Sequence, residues 1–254
     1  MRPQRPCEHL NANELTQESP VMSTMISFIL LTLFATASSY EIPSVITLTP
    51  SNTIAVSGVV TSESALTWQR KLRENDGEVV YLYINSPGGS VLAGNAFISE
   101  IQYQSRLGRE VVCIMEFAAS MAFAIMQACP HRAAVPHATG MQHQMSLVIG
   151  GQLESVTNRL DFSRALSDDL NNMQAVRLGL SSGDFQEKVQ HDWWIYGNQL
   201  ATENVVDSMV IAGCSNTFKR HGKACPISVM EDSRRGVEQM MPPPTFELWL
   251  EHQQ

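Results

Sequence analysis

The amino-acid sequence predicts an α/β fold in which parallel strands are joined by helical crossovers. Two observations support this prediction: strand-like and helix-like segments alternate along residues 44–212, and no long linker or low-complexity stretch divides them. A chain of 254 residues can form one large domain or two small ones, and the undivided pattern favours one. With 44% hydrophobic and 17% charged residues, the composition excludes collagen-like, coiled-coil and wholly disordered chains.

The first half of this region contains three strand–helix pairs. β-branched, aromatic and apolar runs bounded by turn residues predict strands over 53–60, 78–85 and 110–115. Helix-forming composition or apolar residues at helical spacing predict helices over 62–73, over 90–103 and from Ser120 onward. Each predicted strand is therefore followed by a helix, which is the order that parallel pairing requires.

The second half is dominated by one long amphipathic helix. Apolar residues from 152 to about 180 fall mostly three, four or seven apart, Gly179 is a stop signal, and Ser181 with Asp184 resembles a capping box for a following helix. We expect the long helix to project from the core and support oligomerisation; the alternative is that it packs on its own sheet. The segment that holds His131 and His137 reads as a solvated loop, and the sequence from Gly213 onward is less regular.

The five cysteines form no CxxC pair and have no histidine at metal-ligand spacing, so no metal site is predicted. Cys113 and Cys129 lie in apolar runs and read as small buried hydrophobic residues. Cys214 and Cys225 flank a polar decapeptide and would close a short loop in an oxidising compartment. The sequence does not decide whether Cys214 and Cys225 form this disulfide.

The N-terminal region predicts export. Residues 25–37 form an apolar run of signal-peptide length, too short to span a membrane, and Ala35-Thr36-Ala37 supplies small residues for cleavage. The absence of Lys and Arg between Arg5 and Arg70 weighs against a signal peptide. We expect residues 1–37 to be a presequence and the mature protein to be periplasmic or secreted; the alternatives are an uncleaved membrane anchor and a buried helix of a cytoplasmic protein.

The charge balance argues against a nucleic-acid partner. Lys and Arg number 17 against 25 Asp and Glu, so the net charge is −8, and no basic stripe compensates.

Several residues have the chemistry of a nucleophilic site. Ser120 lies where a strand turns into an apolar helix, so that its hydroxyl meets the free N–H groups and positive dipole end of that helix. Gly88 follows another strand in a Pro-Gly-Gly turn that lets a backbone N–H point outward. A serine nucleophile needs a positioned base, for which His143 at a sheet edge is suited, and a carboxylate such as Asp192 beside two tryptophans.

Four segments together resemble the proteolytic subunit of the Clp protease. They are INSPGGSV at 84–91, AASMAF at 118–123, MQHQ at 141–144, and HDWW through VVDSM at 191–209. The resemblance covers about residues 50–211 in the family's order and without large gaps. It implies a crotonase-like α/β core of repeated ββα units, with a helical handle, here residues 152–192, that joins two heptameric rings.

The resemblance also implies roles and partners. Ser120 would be the nucleophile, His143 the base and Asp192 the third member of a triad, with the N–H groups of Gly88 and Met121 as the oxyanion hole. The substrate would be a peptide or unfolded protein, and no cofactor is implied. Ala122 and Met145 stand where the family often has glycine and proline. Because no counterpart of the axial loops is legible and an exported protein meets no ATP, an AAA+ unfoldase partner is doubtful.

Three other functions remain open. A Ser-Lys signal-peptide-peptidase-like protease shares the INSPGGSV-type motif, but none of the four lysines lies in a recognisable dyad context. A crotonase-type acyl-CoA enzyme would share the fold without a reason to keep Ser, His and Asp. A catalytically silent ring subunit would serve as a scaffold or pair with an active paralogue.

Overall fold

The computed structural model describes residues 45–222 and 224–229, and their backbone forms two sheets. The strands are β1 (Val45–Leu48), β2 (Thr53–Ser57), β3 (Val79–Ser86), β4 (Glu110–Ala119), β5 (His131–Gln142), β6 (Trp193–Tyr196), β7 (Ser208–Met209) and β8 (Ile211–Cys214). The larger sheet has the order β2-β3-β4-β5-β6, with β7 also paired to β5, and the smaller one joins β1 to β8. All pairs are parallel except β5 with β6. The α/β fold class is confirmed.

Helices connect the parallel strands, as the alternating pattern predicts. They are α1 (Ser62–Glu74), α2 (Val91–Arg106), α3 (Met121–Ala128), α4 (Leu153–Leu178), α5 (Ser182–Lys188), α6 (Gln199–Thr202) and α7 (Thr217–Arg220), followed by a 3-10 helix at Pro226–Val229. Thr61 caps α1 in a capping box, and Gly179 ends α4 in the left-handed region at φ 73°. Among the described residues no helix is long and apolar enough to cross a membrane. The apolar run at 25–37 lies outside these residues.

The larger sheet is covered on both faces. Alternate residues of β3 point to opposite sides, so that Val80 and Leu82 join the core beneath α1, α2 and α3, whereas Tyr81 joins a second cluster. That second cluster is closed by β1, β8 and Phe218 of α7. Burial on both faces is what makes these strands near-continuous apolar runs.

The long helix α4 is only partly packed on the core. Its first four turns are mostly exposed, and Leu153 and Phe162 are 78% and 58% exposed. Leu170, Gln174 and Leu178, which lie four residues apart, are the buried contacts of its last turns. The helix therefore projects from the core over its N-terminal half, while its role in oligomerisation stays a prediction.

The segment predicted to be a solvated loop around His131 is instead part of β5, a central strand. Ala133 and Ala134 are fully buried, and the pairing with β4 skips from Ala134 to Thr139. Residues 135–138 leave the ladder there, which accommodates Pro136 without a lost hydrogen bond in the sheet. The prolines and histidines of this segment predicted a loop, but pairing with the neighbouring strands makes it a strand.

The helix that follows the Ser181 cap is short: α5 ends at Lys188, and Trp193 begins β6. The expectation for two of the cysteines is corrected by a long-range contact. Cys113 and Cys129 are not free thiols but form a disulfide, because α3 runs back over β4 and brings their Cα atoms to 6.0 Å. Cys214 and Cys225, left open by the sequence, also form a disulfide.

Arg132 of β5 is a buried cation that organises the end of the sheet near α4. Its side chain, 2% exposed, donates to both Asp207 Oδ1, at 2.6 Å, and Gln127 Oε1, also at 2.6 Å. Burial alone would raise the pKa of Asp207, but the hydrogen bonds and charge of Arg132, together with Arg177, lower it. The pair thus holds β5, the segment before β7 and the C-terminal end of α4 together.

We expect Asp207→Ala to lower the free energy of unfolding by about 3 kcal/mol, because it leaves Arg132 buried without its counter-charge. The folded pKa of Asp207 lies below its unfolded value, so the ion pair stabilises the protein above that unfolded value, about 3.9, and its contribution is lost as the pH falls through the folded pKa. Urea unfolding at pH 7 and at successively lower pH measures both effects. An equal loss of stability at all pH values would contradict the ion-pair explanation.

Candidate active site

Ser120 lies on a strained turn between β4 and α3. Its backbone has φ 54° and ψ −121°, a left-handed conformation that is uncommon for a residue other than glycine. The Ser120 N–H donates to the carbonyl of Met141 on β5 at 2.9 Å, and the Ser120 carbonyl accepts the first helical N–H groups of α3. The turn therefore presents the Ser120 side chain at the N-terminus of α3, partly exposed.

His143 contacts Ser120 directly. It follows β5, the strand beside β4, and its Nε2 lies 2.9 Å from Ser120 Oγ. For the serine to donate in this hydrogen bond, Nε2 must be the unprotonated ring nitrogen. Among residues 45–222 and 224–229 no lysine bonds to the Ser120 hydroxyl; Lys188, for example, pairs with Glu203 at 2.8 Å. Lys223 lies outside these residues.

Gly88 packs against the backbone of the serine turn. A Cβ atom at Gly88 would lie 2.5 Å from the Ala119 carbonyl oxygen and 2.8 Å from the Met121 nitrogen, so no other residue fits. The N–H of Gly88 donates to Ser86 Oγ at 3.1 Å, and that hydroxyl donates to the Gly58 carbonyl. Gly88 and Met121 are thus brought together beside Ser120, but the N–H of Gly88 already has an acceptor.

The N–H of Gly89 has a different environment. The bridge to Val60 uses the Gly88 carbonyl and the Ser90 N–H, and none of the hydrogen bonds found in the described part of the chain uses the Gly89 N–H. Gly89 is exposed, at φ 143°. The same turn therefore offers a second backbone donor near the serine turn, which the sequence analysis did not single out.

Asp192 is exposed and, within the described ranges, has neither a hydrogen bond nor an ion pair with His143. Their backbone positions are nonetheless neighbouring, at the end of the β5–β6 ladder. The antiparallel ladder of β5 and β6 ends at the pair Gln142–Trp193, so His143 and Asp192 are the next residues on each side. The register brings their backbones to neighbouring positions, while the side chains are not joined.

Behind Ser120 lies a small cavity of about 40 Å³. Apolar side chains that line it are Val91, Met121, Ala124, Met145 and Leu170. Larger clefts of about 760 Å³ and 600 Å³ lie elsewhere, and neither is lined by Ser120 or His143. The small cavity is lined by both Ser120 and His143, so it is the one that adjoins the candidate site.

A buried carboxyl group marks an irregularity in β4 just before the serine turn. Glu116 is skipped in the pairing of β4 with β3 and so occupies a β-bulge. Its Oε2 accepts a hydrogen bond from Asn85 Nδ2 at 3.1 Å. Burial raises the pKa of Glu116, and the polar groups of Tyr83 and Asn85 oppose that rise. The bulge links the strand that carries Ser120 to the strand that carries Gly88.

Two buried glutamines next to the site were missed by the sequence analysis. Gln142 precedes His143, and Gln174 lies on the buried side of α4; they are 5% and 2% exposed. A signal for Gln174 was present, because it interrupts an apolar row at Leu166, Leu170 and Leu178, spaced by four residues. A polar residue at such a position implies a buried hydrogen-bond partner.

Comparisons with known proteins show which family the chain resembles. A family model described as Clp protease matches residues 37–212. The chain is 32% identical over 133 residues to the ATP-dependent Clp protease proteolytic subunit 2 of Nocardia farcinica. It is 30% identical over 144 residues to proteolytic subunit 3 of a Synechococcus species, and 30% identical over 141 residues to the proteolytic subunit of Physcomitrium patens.

These matches cover part of each protein. They include 52%, 54% and 54% of this chain, respectively. The chain spans 64%, 69% and 70% of the lengths of these three relatives.

Proposed function

Because this chain belongs to the Clp protease family, we propose that it is a serine endopeptidase that hydrolyses peptide bonds through Ser120, His143 and Asp192. The observation that carries the proposal is the 2.9 Å contact between His143 Nε2 and Ser120 Oγ at a strained strand-to-helix turn. Nucleophile and base within hydrogen-bond reach are the signature of an activated serine.

In the proposed reaction His143 takes the proton of Ser120 as the hydroxyl oxygen attacks the scissile carbonyl carbon. The resulting imidazolium then protonates the leaving amine, which leaves an acyl group on Ser120. Water enters, loses a proton to His143 and attacks the acyl carbon. The carboxyl product departs, and the proton returns to Ser120.

The oxyanion of each tetrahedral intermediate needs backbone donors beside Ser120. We propose Met121 together with the Pro-Gly-Gly turn. The N–H of Met121 is at the first position of α3, where no acceptor exists within the helix. From the turn, Gly88 would have to release Ser86 Oγ, whereas the N–H of Gly89 needs no such release.

The proposed role of Asp192 is to hold His143 in the tautomer with the proton on Nδ1 and to stabilise the imidazolium. Support comes from the strand register, which puts Asp192 across from His143. We expect Asp192→Asn to lower kcat by about 10²- to 10⁴-fold with little change in KM. The measurement is steady-state hydrolysis of a fluorogenic peptide; a decrease below threefold would show that Asp192 does not orient the base.

The cavity behind Ser120 suggests which side chains the site accepts at the residue before the scissile bond. Its volume is about 40 Å³, and its walls combine the apolar side chains with polar ones, which are Ser120, Gln142, His143, Gln144, Ser167, Asn171 and Gln174. We propose that small uncharged side chains are accepted there, because no Asp, Glu, Lys or Arg lines the cavity to pair with a desolvated charge.

A fluorophosphonate serine probe tests the proposed activity. Purified residues 38–254 are incubated with the probe beside Ser120→Ala and His143→Ala, and the adduct is located by peptide mass spectrometry. Labelling of Ser120 that is lost in the first variant and weakened in the second supports a serine hydrolase. Folded protein that is not labelled would overturn the proposal.

A catalytically silent ring subunit is the second candidate, and two observations favour it. The side chain of Asp192 is not joined to His143, and the N–H of Gly88 is bonded to Ser86 within the turn. The fluorophosphonate probe would not label a silent subunit on its own. It would also not label that subunit, at Ser120 or at any other residue, when an active paralogue is added.

We also propose that the protein forms homo-oligomeric rings, heptameric and possibly double, and acts outside the cytoplasm without its own ATPase. The exposed apolar side chains of α4 support assembly, since Leu153, Phe162 and Val176 have no cover within the described part of the chain. The disulfides Cys113–Cys129 and Cys214–Cys225 support an oxidising compartment. Sedimentation velocity tests the first proposal, and fractionation of the expressing cells tests the second.

A further inference from the structure

A row of buried hydrogen bonds connects α4 to the backbone of His143. Gln174 Nε2 donates to the Leu170 carbonyl at 3.1 Å, one turn earlier in α4. Gln142 Nε2 donates to Gln174 Oε1 at 2.5 Å. The backbone N–H of His143 donates to Gln142 Oε1 at 3.0 Å.

The side-chain amide of each glutamine accepts one hydrogen bond through its oxygen and donates one through its nitrogen. The row of hydrogen bonds therefore runs without a break from the His143 N–H to α4. Gln142 and Gln174 are 5% and 2% exposed, so the loss of a partner leaves a buried polar group without a hydrogen bond to the protein. The orientation of the Gln142 side chain is therefore set by Gln174.

Ser120 and His143 are both held by β5, but His143 has a further attachment to α4. Ser120 is held against β5, where its N–H donates to the Met141 carbonyl at 2.9 Å. His143 lies just beyond the end of β5, and its N–H is held through the two glutamines to α4. The contact between His143 Nε2 and Ser120 Oγ therefore depends on where α4 lies relative to the sheet.

We infer that Gln142 and Gln174 are positioning residues that hold the His143 backbone so that its imidazole reaches Ser120. The inference rests on the proposed function of Ser120 and His143. Both glutamines also line the small cavity beside Ser120, but in this role they act on the His143 backbone and not on the substrate. Since α4 is a continuous helix whose N-terminal half is exposed, a displacement of the helix at Gln174 is passed to the base.

The test separates positioning from simple stability with a single and a double variant. Gln174→Leu removes the acceptor of Gln142 Nε2 and leaves that group buried and unpaired, so it should lower both stability and activity. In Gln142→Leu with Gln174→Leu both amides are replaced by side chains of similar shape. Stability should then partly recover, because no buried side-chain amide is left unpaired, but the half-buried His143 N–H now loses its acceptor, Gln142 Oε1.

Two properties are measured: the melting temperature, and the rate at which a fluorophosphonate probe labels Ser120. The dependence of that rate on probe concentration gives the labelling rate at saturation and the concentration at half saturation. We expect the saturating rate to fall about 10- to 100-fold in both variants, with half saturation changed less than twofold, because the geometry of the reacting groups is altered. The melting temperature should fall by several degrees in the single variant and return towards the wild-type value in the double variant.

Gln104→Leu is the matched control. Gln104 is another buried glutamine, 7% exposed on α2, and its Nε2 donates to Glu100 Oε1 at 2.7 Å away from the site. Its replacement should lower the melting temperature and leave the labelling rate unchanged. If Gln174→Leu does not fold, the double variant alone carries the test.

Two results would overturn the inference. In the first, the double variant recovers both its stability and its labelling rate. In the second, Gln174→Leu lowers the labelling rate of Ser120 no more than Gln104→Leu does. Failure of the proposed function looks different, because the wild-type protein itself would then not be labelled.

Discussion

Ser120→Ala is expected to remove peptide hydrolysis almost completely, lowering kcat by about 10³- to 10⁶-fold with a smaller change in KM. The hydroxyl oxygen is the atom that would bond to the scissile carbon, and no other hydroxyl among the described residues is bonded to His143. Steady-state hydrolysis of a fluorogenic peptide measures the loss. Activity that survives in the variant would locate the nucleophile elsewhere.

The same position carries a prediction about stability. At φ 54° and ψ −121° a side chain at residue 120 is strained, whereas glycine adopts this conformation readily. Ser120→Gly should therefore be more stable than Ser120→Ala by about 1–3 kcal/mol, although both lack the nucleophile. Equal unfolding free energies in urea would mean that the turn relaxes when the hydroxyl is removed.

Gly88→Ala is expected to abolish labelling of Ser120 and to destabilise the fold. The added Cβ would come within 3 Å of the Ala119 carbonyl oxygen, the Met121 nitrogen and Ser120 Cβ. Because two of these three atoms belong to the backbone, they cannot rotate away, and the serine turn must move. We expect the labelling rate to fall at least about 100-fold, because a displacement of reacting groups by about 1 Å can cost that much in rate.

Gly108→Ala separates this clash from backbone strain. Gly108 has φ 88°, almost the value of 89° at Gly88, but a Cβ at Gly108 would meet nothing within 4 Å. The control should lose about 1 kcal/mol of stability from the positive φ and keep full labelling of Ser120. If both variants lose labelling equally, the close packing of Gly88 on the serine turn is not the cause.

Local sequence patterns predicted most helices and strands within a few residues. The helix predicted over 62–73 is Ser62–Glu74, the one expected to stop at Gly179 ends at Leu178, and the strand predicted over 78–85 is Val79–Ser86. Caps, turns and hydrophobic periodicity involve residues close in the chain, so their physical causes are visible in the sequence. Ser120 was predictable for the same reason, since a strand, a small-residue turn and an apolar helix adjoin there.

Other features were decided between distant segments. The segment around Ala133 lies between β4 and β7, which both pair with it, and the disulfide of Cys113 with Cys129 depends on how α3 packs on β4. Neither pairing leaves a local pattern. The strand and the disulfide were both predicted wrongly, because local composition indicates the conformation that a segment prefers and not the segment with which it pairs.

What the sequence by itself determined about this protein is the α/β order of its elements, its family, and the pair of candidate reacting side chains at Ser120 and His143. Only the tertiary structure decided how that pair is held: by Gly88 against the serine turn, and by Gln142 and Gln174 between the base and α4. The physical reason is that the Gln142–Gln174 hydrogen bond and the contact of Gly88 with the Ala119 carbonyl join residues 32 and 31 positions apart (174 − 142 and 119 − 88), so they exist only once the chain has folded.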